Sequence, residues 1–391
     1  MSLLIKKYNG NVHLEITNEL DDHMFDVSMA NAIRRSLYLT NPCWAIPEKL
    51  NKEHKENIYK YFNVFYDLNE KIGSVSFCNY INSQVLSHRL NRMPIYYDSS
   101  NEELYKQGLF FCMTSKGDFS KPHVHLSIEP KIIYSNDLSI YTIKSGVPVL
   151  LTDIEKNSII KFNVHLFTLK KDDCIHIMTS PTFNYGYKGS EFEPVTVTYN
   201  FGLDAKPDYH RRDAFDNPDN IYIGIGFSGK KSITESFANS ITYLSNQVNV
   251  FITEYTKALS AGSDVVKIIN VDHNMEEIDV VNSDCYLADH TLGNLLSCHV
   301  LMYTISCISE FAKDNKDLFH ELLSYTLISY LSPDESAITR TLKFKFQLPL
   351  NDDFNEFLYK KHKNQLLVKN PKLYILWFTT VAIMKYLQAQ L

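Results

Sequence analysis

Apolar residues recur at helical spacing soon after the chain begins. Met29, Ile33 and Leu37 stand four residues apart, with Ala30 and Ala32 beside them, which predicts a helix over 28–39. Asp26 or Ser28 is placed to cap its free N–H groups. Asn41-Pro42 ends it, because proline disfavours helix in the residue before it. Ahead of it Leu3–Ile16 reads as a strand closed by the polar Asn18–His23 turn. Behind it Glu48–Lys71 reads as a connecting stretch, and Asn82–Leu90 as a second short helix stopped at Met93-Pro94. From about Asp98 to Asn220 the pattern shortens to alternating runs (His123–Ile128, Ile159–Phe167, Val195–Tyr199) between Pro, Gly and Asp-Asp breaks, predicting a β-rich insert. Ile221–Phe227 reads as a strand leading into a long amphipathic helix over Ile233–Tyr255, with Ile233, Phe237, Ile241, Leu244, Val248 and Phe251 along one stripe. Ala261-Gly262-Ser263 is the linker to a second unit. That unit has strands near Val265–Ile269 and Ile278–Tyr286, then a helix from Thr291 with Leu292, Leu295, Leu296, His299, Val300 and Tyr303 on one face. Strands at Tyr325–Tyr330 and Thr341–Leu348 and a terminal helix after Pro371 complete it.

One short pattern occurs twice. Asp26-Val27-Ser28-Met29-Ala30-Asn31-Ala32-Ile33 and Asp289-His290-Thr291-Leu292-Gly293-Asn294-Leu295-Leu296 both read Asp, any residue, a hydroxyl, a large apolar residue, a very small one, Asn, any residue, a large apolar residue. Each follows an extended segment and opens a helix. A chain carrying one strand-into-helix unit twice is expected to pack one copy against the other. The fold class expected is α+β with antiparallel sheets and helices on one face. Ala30 and Gly293 are expected where a helix approaches a neighbouring backbone, which only a small side chain permits. Asn31 and Asn294 are poor mid-helix residues, so an equivalent hydrogen bond to backbone is expected in each half.

Composition narrows the possible functions. The 391 residues allow two or three domains, and 45% hydrophobic with 21% charged content is globular. A net charge of -6 argues against gripping nucleic acid alone, since phosphate binding needs a concentrated basic surface. The short basic clusters Arg34-Arg35, His210-Arg211-Arg212 and Lys360-Lys361-His362-Lys363 fit either solvated surface or an acidic protein partner. Seven cysteines without a CxxC pair, and no signal-peptide pattern over Met1–Gly10, read as a reduced, intracellular protein. The apolar stretch Leu373–Met384 is too short for the ~20 residues that span a bilayer, so a buried helix is expected there and no membrane contact.

The residues also carry a resemblance. Asp26–Ala45 (DVSMANAIRRSLYLTNPCWA) resembles the N-terminal signature of the α-like assembly subunits of multisubunit RNA polymerases, and Val85–Ile95 (VLSHRLNRMPI) is similar to the same family's next landmark. Leu287–Leu296 (LADHTLGNLL) resembles the signature of the small partner subunit. The partners are usually separate chains. Joined in one, they resemble the fused subunit of large nucleocytoplasmic DNA viruses, and the abundance of Asn, Lys, Ile and Tyr fits an AT-rich source.

The resemblance implies two α-like dimerisation units forming an intramolecular pseudo-heterodimer. The first unit spans 1–97 and 221–258, the inserted β-rich domain 98–220, and the small-partner-like unit 259–391. Asp26, Ser28, Ala30, Asn31, Ile33, Asp289, Thr291, Gly293, Asn294 and Leu296 form the dimerisation signature. Arg34 and Arg35, with His88 and Arg89, are implied to dock the second-largest catalytic subunit through forked contacts with carboxylates; two solvated arginines are the plain alternative. Consecutive on a helix, Arg34 and Arg35 point about 100° apart, so both cannot face the core. The implied role is a non-catalytic platform for DNA-directed RNA synthesis, inside a host cell and packaged in some virions. Its partners are the largest, second-largest and small polymerase subunits, with DNA reached only through the complex and no homo-oligomer.

Many relatives hold zinc in the insert. Here it offers Cys112, Cys174, His123, His125 and His176, and although His123-x-His125 places two imidazoles on one strand face, no metal and no cofactor are expected. Gly224-x-Gly226 lacks the rest of a dinucleotide fingerprint, Gly224–Lys230 lacks the ending of a P-loop, and Asp172-Asp173 and Asp352-Asp353 read as solvated turns. No catalytic residue is assigned. The competing expectation is a stand-alone viral interaction protein or enzyme that reuses the α-like fold.

Overall fold

The computed structural model describes residues 2–8, 11–17, 26–47, 52–62, 83–113, 131–169, 177–201, 221–270, 275–281, 290–313, 315–331, 341–349, 351–362 and 371–389. It is an α+β structure.

The first half opens with antiparallel strands β1 (Ser2–Tyr8) and β2 (Asn11–Thr17), where one strand was expected. Tyr8 pairs with Asn11, leaving only Asn9-Gly10 between them, the dipeptide that most strongly favours a two-residue hairpin. Helix α1 (Val27–Leu39) follows. Asp26 is its cap, accepting from the Met29 amide at 2.7 Å, while Met29, Ile33 and Leu37 are fully buried. At its far end Asn41, 1% exposed, donates to the Ser236 carbonyl (3.1 Å) and the Ser240 hydroxyl (2.6 Å). The residue that stops the helix therefore also fastens it to the long helix Ile233–Ser260.

Strand β3 (Pro42–Ala45) leads to α2 (Lys52–Phe62), a helix inside the stretch expected to be a connector. Ile58 and Phe62, one turn apart, are buried, with Phe62 edge-on to Phe110 at 5.1 Å between ring centroids. Helix α3 (Ser83–Asn91) matches the second predicted helix, although Asn82, its expected cap, lies outside the described residues.

The insert contains α4 (Glu102–Lys106), β4 (Leu109–Met113), β5 (Lys131–Tyr134), β6 (Ser139–Lys144), β7 (Val147–Leu150), α5 (Asp153–Ile159), β8 (His165–Leu169), β9 (Ile177–Thr179) and β10 (Thr182–Tyr185). The strand expected over Ile159–Phe167 begins instead as the end of α5, because Thr152 and Glu155 make a reciprocal capping box that starts a helix there. His123–Ile128 lies outside the described residues. The insert's core also takes Ile46, Leu90, Met93 and Ile95 from the preceding segment, and β10 pairs with β3. Conversely β11 (Val195–Phe201) pairs not with the insert but with β12 (Ile221–Phe227), in the sheet order β1-β2-β12-β11. Helix α6 (Ile233–Ser260) closes the half, its predicted stripe buried from Ile233 to Phe251.

The second half repeats this plan: β13 (Val266–Asn270), β14 (Met275–Val281), α7 (His290–Ala312), α8 (Lys316–Ser324), β15 (Leu327–Leu331), β16 (Thr341–Gln347), α9 (Asp352–His362) and α10 (Pro371–Gln388). Its sheet runs β13-β14-β16-β15, the same order as the first. Helix α1 lies on β11 and β12, and α7 on β15 and β16, so the two helices occupy corresponding places. Helices α8 and α9 were not anticipated. Asp352-Asp353 open α9 rather than a turn, where their charges favour the positive helix N-terminus, and Asn351 caps it through the Phe354 amide at 2.9 Å.

The halves share one core. Helix α10 packs on α6 and α7, α1 packs on α6 and α7, and a single hydrophobic cluster runs from Met29 through Ile241 and Leu295 to Leu387. Phe251 of α6 meets Phe344 of β16 at 5.8 Å. Ile375, Leu376 and Ile383 of the apolar terminal stretch are buried there. By length and hydropathy alone Thr291–Ala312 is long and apolar enough to cross a membrane, yet half of its most apolar window is buried in this core.

Candidate functional site

The two copies of the repeated pattern meet where α1 packs against α7. From the first copy, Asp26 is 7% exposed, and its carboxylate accepts from the Ser28 hydroxyl (2.8 and 2.9 Å) as well as the Met29 amide. From the second half, His299 Nε2 lies 3.5 Å from Asp26 Oδ1, an electrostatic contact without a formed hydrogen bond, since Nε2 has no hydrogen-bond partner among the described residues. Burial by itself would raise the Asp26 carboxyl. His299, the Met29 amide and the Ser28 hydroxyl outweigh it and hold the group below its ordinary value of 3.8. Half-buried Cys298 stands beside them, its thiol pushed up to about 11 by burial and by the Asp26 charge.

About two and a half turns further along α1, Arg35 crosses the same seam. Its Nε donates to Thr291 Oγ1 at 2.6 Å, and Thr291 is buried. A signature hydroxyl of the second copy is thus bonded to an arginine two residues past the first. Asp289 lies outside the described residues.

Arg34 turns the other way, as the angle between neighbouring helical residues requires. Its Nε and Nη2 fork onto Asn31 Oδ1 at 3.1 and 2.8 Å, its Nη1 reaches the Tyr38 hydroxyl at 3.3 Å, and its guanidinium sits 5.4 Å from the Tyr38 ring centre. Asn31 therefore holds an arginine instead of a backbone group. Asn294, half-buried, accepts a weak bond from the Cys298 thiol at 3.6 Å. Among the described residues the expected pair of equivalent backbone bonds does not form: Asn31 accepts from Arg34, and Asn294 from Cys298.

The small residues are explained differently in the two copies. Ala30 is fully buried in the shared core. A Cβ on Gly293 would come within 2.5 Å of the Tyr330 ring and 3.0 Å of Leu342, so the close neighbours are side chains of the underlying sheet and not the backbone expected.

His88 and Arg89 stand exposed in the last turn of α3, away from this seam in sequence and packed towards the insert. Arg89 Nη1 donates to the Leu166 carbonyl at 2.7 Å. Of the candidate metal ligands, Cys174, His123, His125 and His176 lie outside the described residues. Cys112 is fully buried in β4 with its thiol raised by burial. Among the described residues no group of three or more His, Cys, Asp or Glu side chains is placed to hold a metal ion.

Two participants carry no sequence signal. His299 reads as one more position on an apolar face, and Tyr330 as an ordinary strand residue; only the packing of α7 gives them their roles. In comparison with known proteins, the chain matches no family model and no curated protein.

Proposed function

We propose that this chain is the non-catalytic assembly platform of a multisubunit DNA-dependent RNA polymerase, an α-like subunit and its small partner fused into an intramolecular pseudo-heterodimer. The observation that carries the reading is the seam between the repeated patterns. Two helices opened by the same motif, on two sheets of identical strand order, pack on each other through Asp26–His299 and Arg35–Thr291. A dimerisation unit and its counterpart are expected to meet in that way.

Fusion has an energetic consequence that suits a nucleating subunit. A short linker makes the pairing intramolecular, at an effective concentration of roughly millimolar for flexible connections, so the platform assembles independently of chain concentration. In this reading Arg35 serves the internal seam, and Arg34, fastened along α1 by Asn31 and Tyr38, is the cation assigned to the second-largest subunit. Small subunits and the largest subunit join afterwards, and DNA is met only through the complex.

Affinity purification of the tagged chain from its natural source, with mass spectrometry and an RNA-synthesis assay on the eluate, tests the reading. Two very large chains in near-equal amounts, with promoter-independent RNA synthesis, are the expected result. A chain that elutes without them sinks it.

A further inference from the structure

Strand β15 closes one side of the second sheet, and no strand pairs with its outer edge among the described residues. Its five residues, Leu-Ile-Ser-Tyr-Leu, include no charge and no proline, the devices that ordinarily keep an open edge from pairing with another chain. Ile328 and Tyr330 lean on the shared core. By the alternation of a strand, Leu327, Ser329 and Leu331 stand on the opposite face, where the two leucines are 45% and 60% exposed. Strand β11 holds the same place in the first sheet. It shows exposed threonines there instead, Thr196 and Thr198, whose hydroxyls donate to the Gly226 and Gly224 carbonyls. The apolar open edge is therefore not something the repeated plan requires.

The order of residues selects the occupant. Read in either direction the strand runs leucine, bulky residue, serine, bulky residue, leucine. Laid antiparallel on itself about Ser329, it sets Leu327 opposite Leu331 of a second copy, Ile328 opposite Tyr330, and Ser329 opposite Ser329. The flanking pairs are apolar on both sides, the kind that stabilises neighbouring strands, and one patch serves both copies, as a two-fold contact requires. Charge does not oppose the pairing. Lys343 and Lys345 of β16 neighbour β15, and they would stand three strand spacings, about 14 Å, from their counterparts. That exceeds the screening length of about 10 Å at 0.1 M salt, and Lys343 is already paired with Glu277 at 2.8 Å.

We propose that two copies of this chain join edge to edge through β15, antiparallel about a two-fold axis at Ser329, so that two four-stranded sheets become one of eight strands. The proposal does not rest on the platform reading, and it departs from the expectation of no homo-oligomer. A contact of one strand pair is small, so the dimer forms reversibly and fills with chain concentration.

The test uses the full chain alone. Light scattering on gel filtration is expected to show a mass rising from one copy to two as the concentration is raised. Ser329→Cys under mild oxidation should give a disulfide-linked dimer, because facing strand residues have Cα atoms about 4.5–5.5 Å apart, within disulfide reach. The native chain and Ser99→Cys, at an exposed site far from β15 in sequence, should not. Leu327→Lys combined with Leu331→Lys sets like charges opposite each other and should weaken the dimer at least about tenfold. Leu327→Lys combined with Leu331→Glu sets opposite charges together and should restore much of the loss. A chain that stays a monomer at the highest concentration overturns the proposal. So does a dimer that gives no Ser329→Cys link, or one that treats the two charged pairs alike. None of these outcomes bears on whether large polymerase chains co-purify, so the platform reading stands or falls separately.

Discussion

Asp26 Oδ1 and His299 Nε2 stand 3.5 Å apart across the two halves, both almost wholly buried. The carboxylate does two jobs there: it caps α1, and it faces the only ring that α7 brings to that point among the described residues. Replacing it with alanine removes the cap, at about 0.5–2 kcal/mol, and takes away the carboxylate that faces buried His299. Denaturant unfolding should place Asp26→Ala at or above the upper end of that range. A cost under about 0.5 kcal/mol would show that the seam does not depend on this carboxylate.

The same residue sets a pH window. Its folded value lies below 3.8, so its ionised form contributes stability that is fully present above the unfolded value and is lost as pH falls through the folded one. The stability difference between the native chain and Asp26→Asn should be smaller below about pH 4 than at about pH 5. A difference that survives unchanged at pH 2 would contradict the assignment.

Arg35 and Thr291 provide the second link. A double-mutant cycle with Arg35→Ala and Thr291→Val should give a coupling of about 1 kcal/mol or more, since a charge-assisted, partly buried hydrogen bond is at stake. Additive losses would mean that the 2.6 Å contact contributes nothing beyond packing.

Gly293→Ala should destabilise the second half by about 1–3 kcal/mol through overpacking against Tyr330. Combining it with Tyr330→Leu, which withdraws the ring, should recover part of that loss. If Gly293→Ala is neutral while Tyr330 stays in place, the helix and sheet are less closely apposed than the structure has them.

A protease site inserted at Gly262 tests the shared core. The position is exposed, its φ is +86°, and nothing lies within 4 Å of an added Cβ, so insertion should be tolerated. After cleavage the halves should still co-elute on gel filtration, because α6 and α10 bury apolar faces on each other. Separation into two soluble halves would show that the linker alone joins them.

Periodicity made the long elements legible. The buried stripes of α1 and α6 and the strand Ile221–Phe227 appear where apolar spacing puts them, because an element with one wide apolar face has little choice about which side it buries. Short elements were harder to read. Among its described side chains helix α2 buries Ile58 and Phe62 with full cover, too few positions to set a period, and β1 and β2 merge into one apolar run unless Asn9-Gly10 is read as a turn.

The repeated pattern, taken from the chain alone, determined that two helices begin alike and pointed to their pairing. It could not determine what its residues touch. Asn31 and Asn294 share a position and have unrelated partners; Arg34 and Arg35 are neighbours in sequence, yet one bonds along its own helix to Asn31 and the other crosses to Thr291. Local sequence sets which backbone forms and which face is apolar, since those depend on near neighbours. The partner of a polar side chain is set by whichever distant segment packing brings within about 3 Å, and β11 joining the first sheet and His299 meeting Asp26 are decisions of that kind, made only by the tertiary structure.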